Sequence, residues 1–104
     1  MKQVYANLYQ TGNKLTKRDK LGIHSEIESI ALLALRDIIS ASLSLKVEKQ
    51  GMLERARTSL EVLKHLVRTE YELKIIDQKT YIHIERLLIE TSKQANGWLK
   101  YLQT

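Results

Sequence analysis

Cysteine is missing from the 104 residues. That excludes a disulfide frame, a thiolate nucleophile and a zinc–thiolate centre, and it fits a reducing compartment, with the cytoplasm as the expectation. Proline is also missing, and glycine occurs only at Gly12, Gly22, Gly51 and Gly97. With so few turn-formers, and with Leu, Ile, Glu, Lys and Arg dominant, nothing in the local chemistry favours strands or hairpins, so the expected class is all-α. Long apolar runs are lacking as well. The longest, Ile30 to Leu35, is far below the roughly 18 to 20 residues that span a bilayer, and the first residues lack the apolar stretch of a secretory signal. A chain that is neither secreted nor in contact with a membrane is expected. At this length one core suffices, and residues 1–104 are expected to form a single domain.

What is present is helical periodicity. From Ile76 to Leu102, the residues Tyr81, Ile84, Leu88, Thr91, Ala95, Trp98 and Leu102 recur at alternating spacings of three and four, which is one face of a helix. Asp77 stands at the N-cap position, with Ile76 placed to staple onto Tyr81. Near the other end, Gly97 is a small residue expected to let a neighbour approach. Earlier, Val4, Tyr5, Leu8, Tyr9 and Leu15 make a short amphipathic helix that ends near Asn13 or Lys14. Thr16-x-x-Asp19 and Ser25-x-x-Glu28 are two candidate capping boxes, so the second helix starts at one or the other, with a bend near Gly22. Its core stripe reads Ile23, Ile27, Ile30, Ala34, Ile38, Ala41 and Leu45, and it is expected to run to about Lys49. Gly51 then punctuates a turn into a third helix with the stripe Leu53, Ala56, Leu60, Leu63 and Val67, prolonged by Tyr71. Short turns force successive helices antiparallel, so the expected architecture is an antiparallel four-helix bundle: a short first helix plus three long ones.

The second helix is apolar on two sides. Leu32, Ile39 and Leu43 fall about 130° to 180° from the centre of its core stripe. A single four-helix layer has no use for that side, which points to burial against another subunit in a homo-oligomer, with an incoming first helix as the rival explanation. Ile82 and Ile89 repeat the pattern weakly on the last helix.

Chemistry is sparse. A di-metal bundle needs Glu-x-x-His on two helices, and none of His24, His65 or His83 has Glu three residues before it. Glu61 and His65 share the polar face of the third helix as an ordinary i, i+4 pair rather than a metal site, and His24 and His83 have no better claim. No Gly-rich phosphate loop, Gly-x-Ser-x-Gly elbow or His-Glu-x-x-His motif occurs, and the acidic residues are expected on polar faces beside Lys and Arg. No enzyme, metal, cofactor or small-molecule substrate is therefore expected.

Charge points elsewhere. The net charge is +5, and residues 1–25 carry +4 of it, from Lys2, Lys14, Lys17, Arg18 and Lys20 against Asp19. On the third helix, Arg57, Lys64 and Arg68 stand at i, i+7 and i+11, a line that could follow phosphates although Glu61 and Glu72 dilute it. The candidate nucleic-acid-binding residues are thus Lys14, Lys17, Arg18, Lys20, Arg57, Lys64 and Arg68. The candidate oligomer interface is Leu32, Ile39, Leu43, Ile82 and Ile89.

The segment Leu15-Thr16-Lys17-Arg18-Asp19-Lys20-Leu21-Gly22-Ile23 resembles the Phe-Pro-Lys-x-x-Arg-x-x-Leu opening of the small bacterial four-helix bundle proteins. Glu72 to Asp77, Tyr81 and Gly97-Trp98-Leu99-Lys100 resemble their closing helices. That fold has two branches: the accessory variability determinant (Avd) proteins of diversity-generating retroelements, and the proteins encoded by intervening sequences in large-subunit ribosomal RNA genes. The ending and the stretch Leu63 to Arg68 look more like the retroelement branch. The resemblance implies a homopentamer with a basic surface that associates with a reverse transcriptase and with RNA or DNA during mutagenic copying, and supplies no catalysis. It carries the basic positions onto Lys17, Lys20, Lys64 and Arg68. Thr16 and Leu15 depart from it, standing where the family has proline and an aromatic residue. The alternative is a bundle of the intervening-sequence type that acts only through protein contacts.

Overall fold

In the computed structural model, which describes residues 1–103, the longest element is the helix Lys46–Glu72. At 1.5 Å per residue its 27 residues span about 40 Å, nearly the full 45 Å length of the molecule. Numbered along the chain, the helices are α1 (Lys2–Gly12), α2 (Lys17–Leu21), α3 (Ile23–Leu43), α4 (Lys46–Glu72) and α5 (Gln78–Leu102). α3 and α5 pack along α4, and α1 lies against both α3 and α5. Asp37 meets Arg55 and His24 meets Glu70, so α3 and α4 run antiparallel; Tyr71 stacked on Tyr81 at 4.6 Å marks the reversal into α5. The chain is therefore all-helical, with four bundle helices and the one-turn α2 between the first two.

The core follows the expected stripes on α4 and α5. Leu53, Ala56, Leu60, Leu63 and Val67 are buried, as are Ile84, Leu88, Thr91 and Ala95, whereas Tyr81, Trp98 and Leu102 of the expected α5 stripe are only half-buried and Leu99 takes the buried place beside Trp98. On α3 the buried face is turned toward Ala31, leaving Ile23, Ile30 and Ile38 half-buried. Ala31, Ala34 and Ala41 are all fully buried on the face that meets α4, where such short side chains let the two backbones approach. Because α1 is short, four helices enclose only the core around Val4, Leu8, Ile27, Leu63 and Ile84. The far end is a three-helix cluster of Ala41, Leu53 and Leu99, with Met52, Trp98 and Leu102 packed against it.

Several boundaries differ from the sequence expectation. Thr16 is the working cap: its Oγ accepts the Asp19 N–H at 3.3 Å and starts α2, while Ser25 lies inside α3. The break between them is at Gly22, where a Cβ would sit 2.9 Å from the Arg18 carbonyl oxygen, a contact no side chain tolerates without a backbone shift. α3 stops at Leu43, not near Lys49. The Ser42 and Ser44 hydroxyls donate to the Ile39 and Ser40 carbonyls at 2.6 and 2.7 Å, and Ser44 and Leu45 turn to extended backbone. Leu45 is consequently 73% exposed at the cap of α4, rather than in the core. Gly51 marks no turn and lies within α4, where an added Cβ would meet only the tip of Arg55 at 3.8 Å. Gly51→Ala is therefore expected to stabilise the fold by about 0.5–1 kcal/mol, read as a higher urea midpoint at unchanged slope. Gly97 likewise admits no close neighbour, since nothing lies within 4 Å of an added Cβ.

The turn from α4 to α5 is closed by backbone geometry. Ile75 N–H donates to the Glu70 carbonyl and Lys74 N–H to that of Tyr71, with Lys74 itself at φ 62°. This is a Schellman ending with lysine in the left-handed position that glycine usually fills. Asp77 then caps α5 as expected, its Oδ1 accepting the Thr80 N–H at 2.8 Å. Among the described residues no helix is long and apolar enough to cross a membrane.

Candidate functional site

The apolar outward side of α3 is left open by the fold. Leu32, Leu33 and Ile39 are 51%, 50% and 42% exposed and line, with Ser29, Leu35, Arg36 and Ser40, an open groove of about 540 Å³. α1 packs elsewhere, in the groove between α3 and α5, so the rival explanation for these residues, burial under the first helix, is removed. Leu43 is at the end of the helix and still more exposed, and Ile82 and Ile89 on α5 are each 40% exposed. The interface candidates thus fall on two helices that are both packed on α4, and the continuous part of the patch belongs to α3.

The basic candidates separate into two groups. Lys14, Lys17, Arg18 and Lys20 are exposed around the α1–α2 turn and form no ion pair among the described residues. Lys14 lies close enough to Asp77 to act on it. The Thr80 hydroxyl and N–H hold the Asp77 carboxyl below its ordinary value, and the charges of Lys79 and Lys14 add to the effect. One end of the molecule therefore joins the α1–α2 turn to the start of α5 and brings in Lys79, which sequence spacing alone could not associate with Lys14. The second group, on α4, is partly neutralised: Lys64 pairs with Glu61 at 3.0 Å and Arg68 with Glu72 at 3.2 Å, while Arg57 is exposed. Exposed i, i+3 and i, i+4 pairs of this kind leave little net field for a polyanion.

The polar feature that sequence reading missed is inside. His24 and Glu70 are both fully buried, and His24 Nδ1 and Glu70 Oε2 share a hydrogen bond of 2.7 Å. The other ring nitrogen donates to the Leu8 carbonyl at 2.7 Å and lies 3.5 Å from Glu28 Oε1. Gly12 makes room for this cluster, because a Cβ there would sit 2.8 Å from Glu28 Oε1 and 2.9 Å from His24 Cδ2. Glu70 Oε1 is buried without a partner. Two acidic residues thus leave the polar faces where the composition put them, Glu70 entirely and Asp37 almost so beside Arg55 at 3.6 Å. The signal was present: His24 is three residues before Ile27 and Glu70 is three after Val67, so each continues a core stripe by one step.

No group of three or more His, Cys, Asp or Glu side chains that could hold a metal ion occurs among the described residues. Glu61 and His65 are both exposed on α4. Ile82, His83 and Arg86 line, with Gln78 and Lys79, a shallow depression on α5, where His83 Nε2 is 3.0 Å from Asn7 Oδ1. No protein-family model, curated protein or solved structure matches this chain.

Proposed function

We propose that this chain is a non-enzymatic accessory protein that assembles into a homo-oligomer through the outward face of α3 and presents basic surface to nucleic acid. The resemblance of its opening and closing segments to the Avd proteins makes a pentamer acting with a reverse transcriptase, on RNA or DNA, the specific form of this reading. The observation that carries it is the two-sided α3, with a buried side against α4 and an opposite side bearing half-exposed Leu32, Leu33 and Ile39. The surface area agrees in sense: 6942 Å² is exposed, against about 6,000 Å² for a compact monomer of this mass. Five copies would repeat the unpaired Lys14–Lys20 group around one axis, so that individually weak patches act together.

Phosphate contacts announce themselves through counterion release. Replacing Lys17 and Lys20 together with Ala is expected to flatten the log–log salt dependence of RNA or DNA binding by roughly 2 units, with equal losses on all sequences. Replacing Lys64 and Arg68 should flatten it less, because their charges are already shared with Glu61 and Glu72. An unchanged slope in the Lys17/Lys20 double variant would remove the α1–α2 turn from the account. The pairing of Lys64 and Arg68 also favours a second reading, an oligomer that serves protein contacts only, as in the intervening-sequence branch. Absence of RNA retention at low salt would select it.

A further inference from the structure

We propose that the buried His24–Glu70 pair is a proton-dependent latch for α1: with both imidazole nitrogens protonated it ties the Leu8 carbonyl to α3 and α4, and loss of the Nε2 proton releases α1. The geometry carries this. A carbonyl oxygen only accepts, so the 2.7 Å contact to Leu8 requires a proton on Nε2. The 2.7 Å contact to Glu70 then requires a second proton between Nδ1 and Oε2, whichever atom holds it. Once only one proton remains, it stays on the side of the Glu70 carboxylate, where the charge-assisted bond is stronger. Nε2 is left with a lone pair facing the Leu8 oxygen, with Glu28 Oε1 3.5 Å away.

α1 is poorly placed to survive that loss. It has 11 residues, lacks a side-chain cap and carries one charged side chain, Lys2. Its apolar hold on the bundle comes chiefly from Val4 and Leu8, with Tyr5 partly buried. The other polar tie is the exposed contact between Asn7 and His83. The charges acting on the ring come from Glu28 on its own helix and Glu70 on α4. α2 carries Lys17, Arg18, Asp19 and Lys20, none of which pairs with the ring, and the part of α1 over it is uncharged.

Burial disfavours the charged imidazole, but the Glu70 hydrogen bond, the Leu8 carbonyl and the charges of Glu70 and Glu28 outweigh it and hold the His24 pKa above 6.5. A raised folded value means that the folded state keeps a proton the unfolded chain gives up. The stabilisation is therefore complete below pH 6.5 and is lost as pH rises through the folded value. Release is thus an alkaline event.

The experiment follows imidazole nitrogens and α1 amides by NMR from below pH 6.5 upward, because His24 titrates above its ordinary value. Both His24 nitrogens should carry protons at the acidic end. As His24 titrates, α1 protection, corrected for intrinsic exchange, should fall about tenfold while α4 core amides keep theirs. Glu28→Gln removes a partly exposed charge without touching the core, and should move this transition to lower pH. His83→Gln should leave it in place. An unprotonated Nε2 with α1 docked, α1 protection that is flat through the titration, a loss shared equally by α4, a transition that ignores Glu28→Gln, or one that moves with His83→Gln would each overturn the latch.

Discussion

Glu70→Ala is expected to cost about 3–5 kcal/mol of stability at neutral pH, measured by urea denaturation. The substitution leaves His24 buried with a proton and only the partly exposed Glu28, 3.5 Å away, as counter-charge, or forces it neutral with Nδ1 unsatisfied, and both alternatives are expensive for a ring with no exposure. Chains of this size have a total stability of about 5–15 kcal/mol, so the loss is a large share of it. The cost comes from breaking the pair, more than from any net worth of having it. Replacing both partners with leucine should recover most of the loss, because two apolar side chains leave no polar group stranded. A double variant as unstable as Glu70→Ala would mean that the packing around α1, Gly12 and Leu8, rather than the charge, dominates the site.

Ile39→Glu should have its effect on assembly instead of folding. Ile39 is 42% exposed in the protomer and points into the groove with Leu32 and Leu33, away from the core. A carboxylate there is solvated in the isolated chain, and the unfolding midpoint of the monomer should change little. In an oligomer buried on α3, the same carboxylate is desolvated at each contact, weakening it by about 2–4 kcal/mol, or thirtyfold or more. Sedimentation of the wild type as an oligomer and of Ile39→Glu as a folded monomer is the expected result. A wild type that sediments as a monomer at high concentration would end the assembly reading and leave the α3 face unexplained.

Helix content, the number of long helices, their order, the α4 core stripe and the middle of the α5 stripe were legible because each depends on residues three or four apart, whose relation a helix enforces locally. The Asp77 cap was legible for the same reason, as was Thr16 as one of two candidates with Ser25, since each serves an N–H three residues away. Misjudged features were those where composition stood in for geometry. Gly51 and Gly97 were read as a turn and a close approach, but glycine lowers helix stability by only about 1 kcal/mol, an amount that a packed helix of this length absorbs. Ser44 and Leu45 ended α3 instead, through serine hydroxyls that compete for backbone carbonyls.

Alone, the sequence determined that this chain is helical, where the core stripe of α4 and the middle of that of α5 lie, and that α3 has a second apolar side, because periodicity and composition act within one helix. Only the tertiary structure decided that α1 covers the groove between α3 and α5 rather than that second side, that Lys14 and Lys79 share one end, and that Lys64 and Arg68 are already paired. It also decided that His24 and Glu70, 46 residues apart, meet in the core. Which helix turns which face to which neighbour is set by packing between distant segments, and a histidine and a glutamate each look like surface residues until the helix opposite supplies the partner.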